Sequence, residues 1–326
     1  MTTSVCGVYC LKPVHYAANR LLGKGEMTYR IIATVGILLI FGGCNSEAQN
    51  RTPGALNSVE EPAGYTLPNT EVRRIQSLEN GINYGLYISV PAEYERTSKK
   101  YPVLFHLDAD YSFAIAHNVV EHFTQRNNID GLILVGIAYE GKSQDRFTYR
   151  KNRVRDYTPT HVETGFYTDE VVSFSGGGMS FIKFLRNELV PFMENNYRVS
   201  DDRGITGHSL GGYFATYMLV NHPELFNKYI LVSPSLWYDD GMIFDTDFST
   251  LTGYQDKTLR VFFAVGEHEN QPWQGWPMVD DMQRMVGRLD SLGLRNLEVD
   301  SQVFENEIHN SIFPVAFSRG VRILYD

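Results

Sequence analysis

Arg203-Gly204-Ile205-Thr206-Gly207-His208-Ser209-Leu210-Gly211-Gly212-Tyr213-Phe214-Ala215-Thr216-Tyr217-Met218-Leu219-Val220 reads as a short strand handed directly to a buried helix. Residues 203–206 are β-competent, and the segment after Gly211 is too apolar all round for a helix with a solvent face. Gly207-His208-Ser209-Leu210-Gly211 between them is a G-x-S-x-G, in which Gly207 and Gly211 let the backbone turn sharply and let strand and helix approach closely. Such a turn lifts the Ser209 hydroxyl into a cleft and sets the Leu210 N–H at a helix N-terminus, where a developing oxyanion is stabilised. The same pattern also describes a strand-to-helix turn that merely packs well. The two readings separate on whether an acid and a histidine follow Ser209 in that order, each just after a strand.

Both follow. Residues 297–304 alternate as a late strand, and Glu305-Asn306-Glu307-Ile308-His309-Asn310-Ser311 is a polar loop before a helical pattern from Ile312 to Tyr325. His309 therefore sits where a general base is needed to take the Ser209 proton and return it to a leaving group. Residues 258–265 form an apolar run typical of a central parallel strand, broken by Gly266-Glu267-His268-Glu269-Asn270. Glu267 and Glu269 compete as the orienting carboxylate. Glu269 is favoured because, three residues past the strand-ending glycine, it is better able to curl back toward the histidine loop.

With these positions placed, the chain resembles the Putative esterase family of α/β-hydrolases, which includes esterase D, enterobactin and salmochelin esterases, and feruloyl or acetyl-xylan esterases. The likeness covers roughly residues 70–320. It is carried by Tyr101-Pro102-Val103-Leu104-Phe105-His106-Leu107-Asp108, Arg155-Asp156-Tyr157-Thr158-Pro159, the helix-like run from Phe181 to Pro191, Ser233-Pro234-Ser235-Leu236-Trp237 and the Gly266 loop. The resemblance implies hydrolysis of carboxylic esters through an acyl-enzyme on an α/β-hydrolase fold, with a mostly parallel sheet, helices on both faces and no cofactor. It also implies that a backbone N–H after the early strand completes the oxyanion hole. Family members commonly carry Asp-Gly there, whereas this chain has Asp108-Ala109-Asp110-Tyr111, so Ala109 or Asp110 is the candidate second donor.

Substrate contacts are expected in loops that the serine motif does not define. His208 in the elbow, Arg155, Trp237 and Trp273 are the candidates; the tryptophan faces suit a phenolic acyl group, a catechol or a sugar. Arg155 and Asp156 read equally well as an ion pair that locks its own loop. Siderophore, feruloyl or acetyl, oligosaccharide and small aliphatic esters all remain open, as do acyl transfer on the same fold and a non-catalytic surface binding protein.

Rival constellations are weaker. Ser180-Phe181-Ile182-Lys183 matches S-x-x-K without the accompanying S-D-N or K-T-G, and Ser180 reads better as a helix N-cap after Gly176-Gly177-Gly178. His117 and His122 are about 140° apart on a helix, one buried and one exposed, which argues against a metal site. The net charge of −9, with no marked Lys/Arg cluster, argues against nucleic acid as a partner.

The N-terminal region has a different character. Met27-Thr28-Tyr29-Arg30, the apolar run 31–41 and Gly42-Gly43-Cys44 read as a lipoprotein signal, too short to span a bilayer. The expectation is cleavage before Cys44 and lipid attachment there, giving an exported, membrane-anchored protein; plain secretion is the alternative. Residues 1–26 are then an over-extended start or leader, 27–44 the signal, 45–69 a flexible tether rich in Asn, Ser, Glu, Pro and Gly, and 70–326 the hydrolase domain. All three cysteines fall at or before Cys44, so the domain contains no thiol. Strands are predicted near 70–78, 82–91, 101–108, 131–139, 203–207, 228–233, 258–265 and 297–304, the first two as an edge hairpin turning at Asn80-Gly81.

Overall fold

Alternation of apolar strands with helical patterns produces one mixed sheet. The computed structural model describes residues 64–139, 145–270 and 276–326. Cys44, the signal segment, the alternative start at Met27 and Trp273 lie outside the described residues. Eight strands, β1 (Thr70–Gln76), β2 (Asn83–Ser89), β3 (Tyr101–His106), β4 (Ile133–Tyr139), β5 (Val199–His208), β6 (Lys228–Val232), β7 (Leu259–Gly266) and β8 (Leu297–Phe304), lie in the order β1-β2-β4-β3-β5-β6-β7-β8. The β1–β2 and β2–β4 pairs are antiparallel and all the others parallel. The edge hairpin turns through Gly81, whose φ of 72° is one that a side chain would disfavour.

Successive residues on the central strands point to opposite faces, and each face has its own core. Phe105, Leu231 and Phe263 belong to one, with Phe181, Phe214 and Met282 from the helices covering that side. Leu104, Ile230 and Phe262 belong to the other, under Ala116 and Val120 of the helix Ala109–Gln125 and Phe317 of the helix Ile312–Tyr325. Burial on both faces is why these strands read as continuous apolar runs. The architecture is the α/β-hydrolase fold with an antiparallel N-terminal hairpin, as predicted.

Three local features depart from the prediction. β5 begins at Val199, four residues early, because Val199 pairs with Tyr101 before the register shifts; the polar Ser200-Asp201-Asp202 hides this extension from hydrophobic patterning. The Gly-rich connection does not place Ser180 at an N-cap: the helix already begins at Gly178, with Gly177 at the cap. That helical segment then runs through a π turn, Leu185–Leu189, into Val190–Asn196. Pro191 has no N–H to offer an α-helical ladder, and a wider turn just before it accommodates that loss. His117 is buried, 2.9 Å from the Ser89 hydroxyl, and His122 is exposed. Among the described residues no group of His, Cys, Asp and Glu is arranged to hold a metal.

Candidate active site

The strand-to-helix handover occurs over a single residue. β5 ends at His208, the elbow helix begins at Leu210, and Ser209 between them has φ 60° and ψ −118°, a conformation that costs a non-glycine residue about 1–3 kcal/mol. Packing imposes it. Ser209 N donates to Val232 O at 2.9 Å, and Ser209 O accepts from Tyr213 N at 2.9 Å and Ser235 N at 3.0 Å. A Cβ at Gly207 would lie 2.4 Å from the Gly211 carbonyl, so strand and helix approach this closely only because position 207 has no side chain. Leu210 opens the helix, where its N–H has no intrahelical acceptor.

The loops after β7 and β8 meet beside the elbow. His309 Nδ1 is 2.6 Å from Glu269 Oε2, and Glu269 is only 3% exposed. The other oxygen, Oε1, accepts from the Ser233 hydroxyl at 2.6 Å and from Gly266 N at 2.7 Å. A single tight turn, Glu267–Glu269, curls this carboxylate back onto the strand end. Glu267 instead accepts from Asn306 N at 3.0 Å on the exposed side of the loop. His268 N donates to Glu307 O at 3.0 Å, pinning the two loops together. The Ser209 hydroxyl lies 3.2 Å from the Ser235 hydroxyl, and among the described residues no hydrogen bond joins it to His309.

His208 was expected to contact substrate. It is 8% exposed, with its ring 4.5 Å from that of His309. Burial, the neighbouring imidazole and the Arg153 cation together push its pKa well below the usual histidine value, so it packs against His309 uncharged.

The expected oxyanion segment opens the helix Ala109–Gln125. Left-handed backbone geometry falls on Asp108 (φ 62°, ψ 33°), one residue before Ala109. Ala109 therefore needs no glycine-like freedom, and its methyl faces a gap left by Gly136, where a Cβ would come within 2.7 Å of it. One helix face holds Asp108: Tyr149, Arg153 and Tyr157, spaced four apart on the helix Arg146–Tyr157. Tyr149 Oη donates to Oδ1 at 2.9 Å, Arg153 Nε to Oδ1 at 2.6 Å and Nη2 to Oδ2 at 3.0 Å, while Asp108 N donates to Tyr157 Oη at 3.0 Å. Arg153 Nη2 also donates to His208 O at 2.7 Å, tying this loop to the last residue of β5, just before Ser209. Burial opposes the Arg153 charge, but Asp108 and the surrounding tyrosines outweigh it and hold its pKa above the ordinary arginine value.

Arg155, the arginine expected to meet substrate, is committed within the protein. It donates to both oxygens of Asp156, at 2.7 and 2.9 Å, and to Asn152 Oδ1 at 2.6 Å, and Asp156 also accepts from Tyr84 Oη. Of the two readings of Arg155, this is the ion pair within its own loop; Arg153, which the sequence did not single out, is marked by the Tyr149, Arg153, Tyr157 spacing.

Asp110 Oδ2 accepts from Tyr139 N at 3.3 Å, and burial, partly offset by this bond, pushes its pKa up to about 6. Between its ordinary value near 3.8 and about 6 the folded chain holds a proton that the unfolded chain has lost. Stability contributed by Asp110 is therefore complete below the lower value and is lost as pH rises through the upper one. Asp110→Asn should match the wild type in denaturant titrations at about pH 4 and exceed it at about pH 7.5; equal offsets at both would show that Asp110 does not titrate in this window.

Beyond Ser235, Trp237 and Trp276 stack with ring centroids 5.1 Å apart and planes 7° from parallel, and Phe166 meets Trp237 edge-on at 5.0 Å. They line a cleft of about 570 Å³ together with residues 161–165 and 238–240. Ser233 and Ser235 were not singled out by sequence reasoning. They lie in the quoted Ser233–Trp237 block, but nothing in their spacing reveals that one reaches Glu269 and the other Ser209.

Residues 77–305 match the family described as Putative esterase. The ferri-bacillibactin esterase BesA of Bacillus subtilis (strain 168) is 29% identical over 290 residues, spanning 85% of this chain and 94% of that protein. A siderophore enterobactin esterase of Emericella nidulans is 38% identical over 173 residues, spanning 46% of this chain and 56% of that protein. Of solved structures, the BES protein from Bacillus cereus superposes with a TM-score of 0.70 at 25% identity, covering 82% of this chain and 98% of that one. An IroE-like serine hydrolase from Shewanella oneidensis gives 0.69 at 25% identity, covering 78% and 80%.

Proposed function

The chain belongs to the Putative esterase family of α/β-hydrolases, and from that premise we propose that it is a serine carboxylic-ester hydrolase working through an acyl-enzyme. Ser209 Oγ attacks the ester carbonyl as His309 Nε2 takes its proton; the same proton then passes to the departing alcohol as the acyl–oxygen bond breaks. Water, deprotonated by His309, releases the acid and restores Ser209. Glu269 holds the imidazole with its Nδ1–H inward and offsets the imidazolium charge, while the Leu210 and Ala109 amides face the oxyanion. The observation that carries this reading is the 2.6 Å contact between His309 and buried Glu269 beside the strained serine turn. Relatives named for siderophore ester cleavage support a siderophore ester as substrate, with feruloyl, acetyl and oligosaccharide esters as the other candidates.

A fluorophosphonate probe should label Ser209, and the purified protein should hydrolyse a short-chain 4-nitrophenyl ester. Absence of both in folded protein would favour a second reading, a surface binding protein on the same scaffold, which draws on the Ser209 hydroxyl meeting Ser235 and not His309. Labelling accompanied by ester products when sugar or lipid alcohols compete with water would identify an acyltransferase instead.

We also propose export with lipid attachment at Cys44. Cys44→Ser should then move the protein from the membrane to the soluble fraction, whereas identical fractionation of the two forms would leave secretion without an anchor.

A further inference from the structure

The cleft that begins two residues beyond Ser235 carries an electrostatic sign of its own. Its ionisable lining groups are Glu163, Asp239, Asp240 and His161, with no lysine or arginine among the described residues that line it. No hydrogen bond or ion pair within the described residues engages the side chain of any of the three acids. His161 Nδ1 is 3.1 Å from the Ser175 hydroxyl, and the Arg150 guanidinium lies outside the lining, over the Tyr167 ring.

The local backbone does not require these charges. Asp239 and Asp240 have φ of 53° and 51° and are followed by Gly241 at 76°, a left-handed run that asparagine tolerates as well as aspartate. Two carboxylates thus stand where uncharged amides would serve the turn equally well. Much of the rest of the wall is aromatic, from Phe166, Trp237, Tyr238 and Trp276, and the buried Trp237 Nε1 has no acceptor among the described residues.

We propose that this cleft selects the part of the substrate that extends beyond the scissile ester for being uncharged or cationic, rich in hydrogen-bond donors and flat-faced, and that it rejects polyanionic groups. Flat groups lie against the indoles, ammonium or hydroxyl donors meet the carboxylates, and an anion entering the cleft meets three uncompensated negative charges. The inference rests on the acyl-enzyme reading above and narrows its candidate substrates by charge: a polyanionic ferric tris-catecholate is disfavoured against an uncharged siderophore, feruloyl, acetyl or oligosaccharide ester.

Three acetate esters of similar alkyl alcohols separate the outcomes: acetylcholine, its neutral analogue 3,3-dimethylbutyl acetate, and the anionic 3-sulfopropyl acetate. At low ionic strength kcat/KM should be highest for the cation and lowest for the anion, with a gap of about tenfold or more that shrinks on adding salt. Asp239→Asn/Asp240→Asn should collapse the gap while keeping the turn. An anionic ester cleaved as well as the cationic one, or a gap unchanged in the double variant, would overturn the proposal. Failure of the acyl-enzyme reading looks different, because the wild type would then cleave none of the esters, nor 4-nitrophenyl acetate. In that case titration of the tryptophan fluorescence with the corresponding unhydrolysed amides still reports the order of binding, since two of the three tryptophans line the cleft. Equal affinities for the cationic and anionic amides would refute the selection even in a protein that turns nothing over.

Discussion

Ser209→Ala and His309→Ala are each expected to lower kcat for a short-chain 4-nitrophenyl ester by about 10⁴- to 10⁶-fold, and the double variant should lose little more than either alone. Nucleophile and base act as one unit: without the imidazole the serine hydroxyl keeps its proton, and without the hydroxyl the imidazole has nothing to activate but water. Residual hydrolysis would come from the Leu210 and Ala109 amides and from substrate binding. Glu269→Ala should cost about 10³- to 10⁴-fold, because it removes the group that fixes the tautomer while leaving the base in place. Glu267→Ala, which changes a carboxylate on the exposed side of the same turn, should leave turnover near wild type. Stopped assays on protein checked by circular dichroism measure this series. Additive losses from Ser209 and His309, or equal losses from the two glutamates, would contradict the assignment.

The second large effect is on stability. Arg153→Met should lower the unfolding free energy by about 3–5 kcal/mol, because it leaves the Asp108 carboxylate, 1% exposed, without its counter-charge. For a domain of this size that is a fall in Tm of about 10 °C, read by calorimetry or thermal circular dichroism. Asp108→Asn in the same background should restore part of the loss, since an amide with no charge to compensate is less costly to bury. Activity should fall more than stability alone explains, since Arg153 also holds the His208 carbonyl one residue before the nucleophile. A Tm within about 2 °C of wild type would mean that the pair contributes far less than its burial implies.

The fold was legible because its signals are local. The central strands are apolar on both faces, the edge hairpin has its glycine at the turn, and the elbow couples a strand to a helix with no solvent-facing side. The order in which Ser209, the Gly266 loop and His309 occur could also be read directly, as could the curl of the loop that brings Glu269, and not Glu267, against His309. What the sequence concealed depends on contacts between distant segments. Arg153 and Arg155 look alike in sequence, and only the position of Asp108, 45 residues earlier, distinguishes them. That an alanine fits at position 109 was also hidden, because the left-handed residue is its predecessor and the space for its methyl is made by Gly136 on β4. Ser235 could not be identified because its role is fixed by where β6 ends relative to β5, a matter of sheet order.

The segment Ser233-Pro234-Ser235 bridges two assemblies that also meet where the His208 and His309 rings pack. On one side Arg153 ties the Asp108 loop to the end of β5, which carries Ser209; on the other, the Gly266 and Glu307 loops, pinned together, carry Glu269 and His309. Ser233 grips the second through Glu269, and Ser235 grips the first through Ser209. Three residues with a proline at their centre therefore act as a calliper: on the proposed mechanism, their length and stiffness help to set the gap between Ser209 and His309.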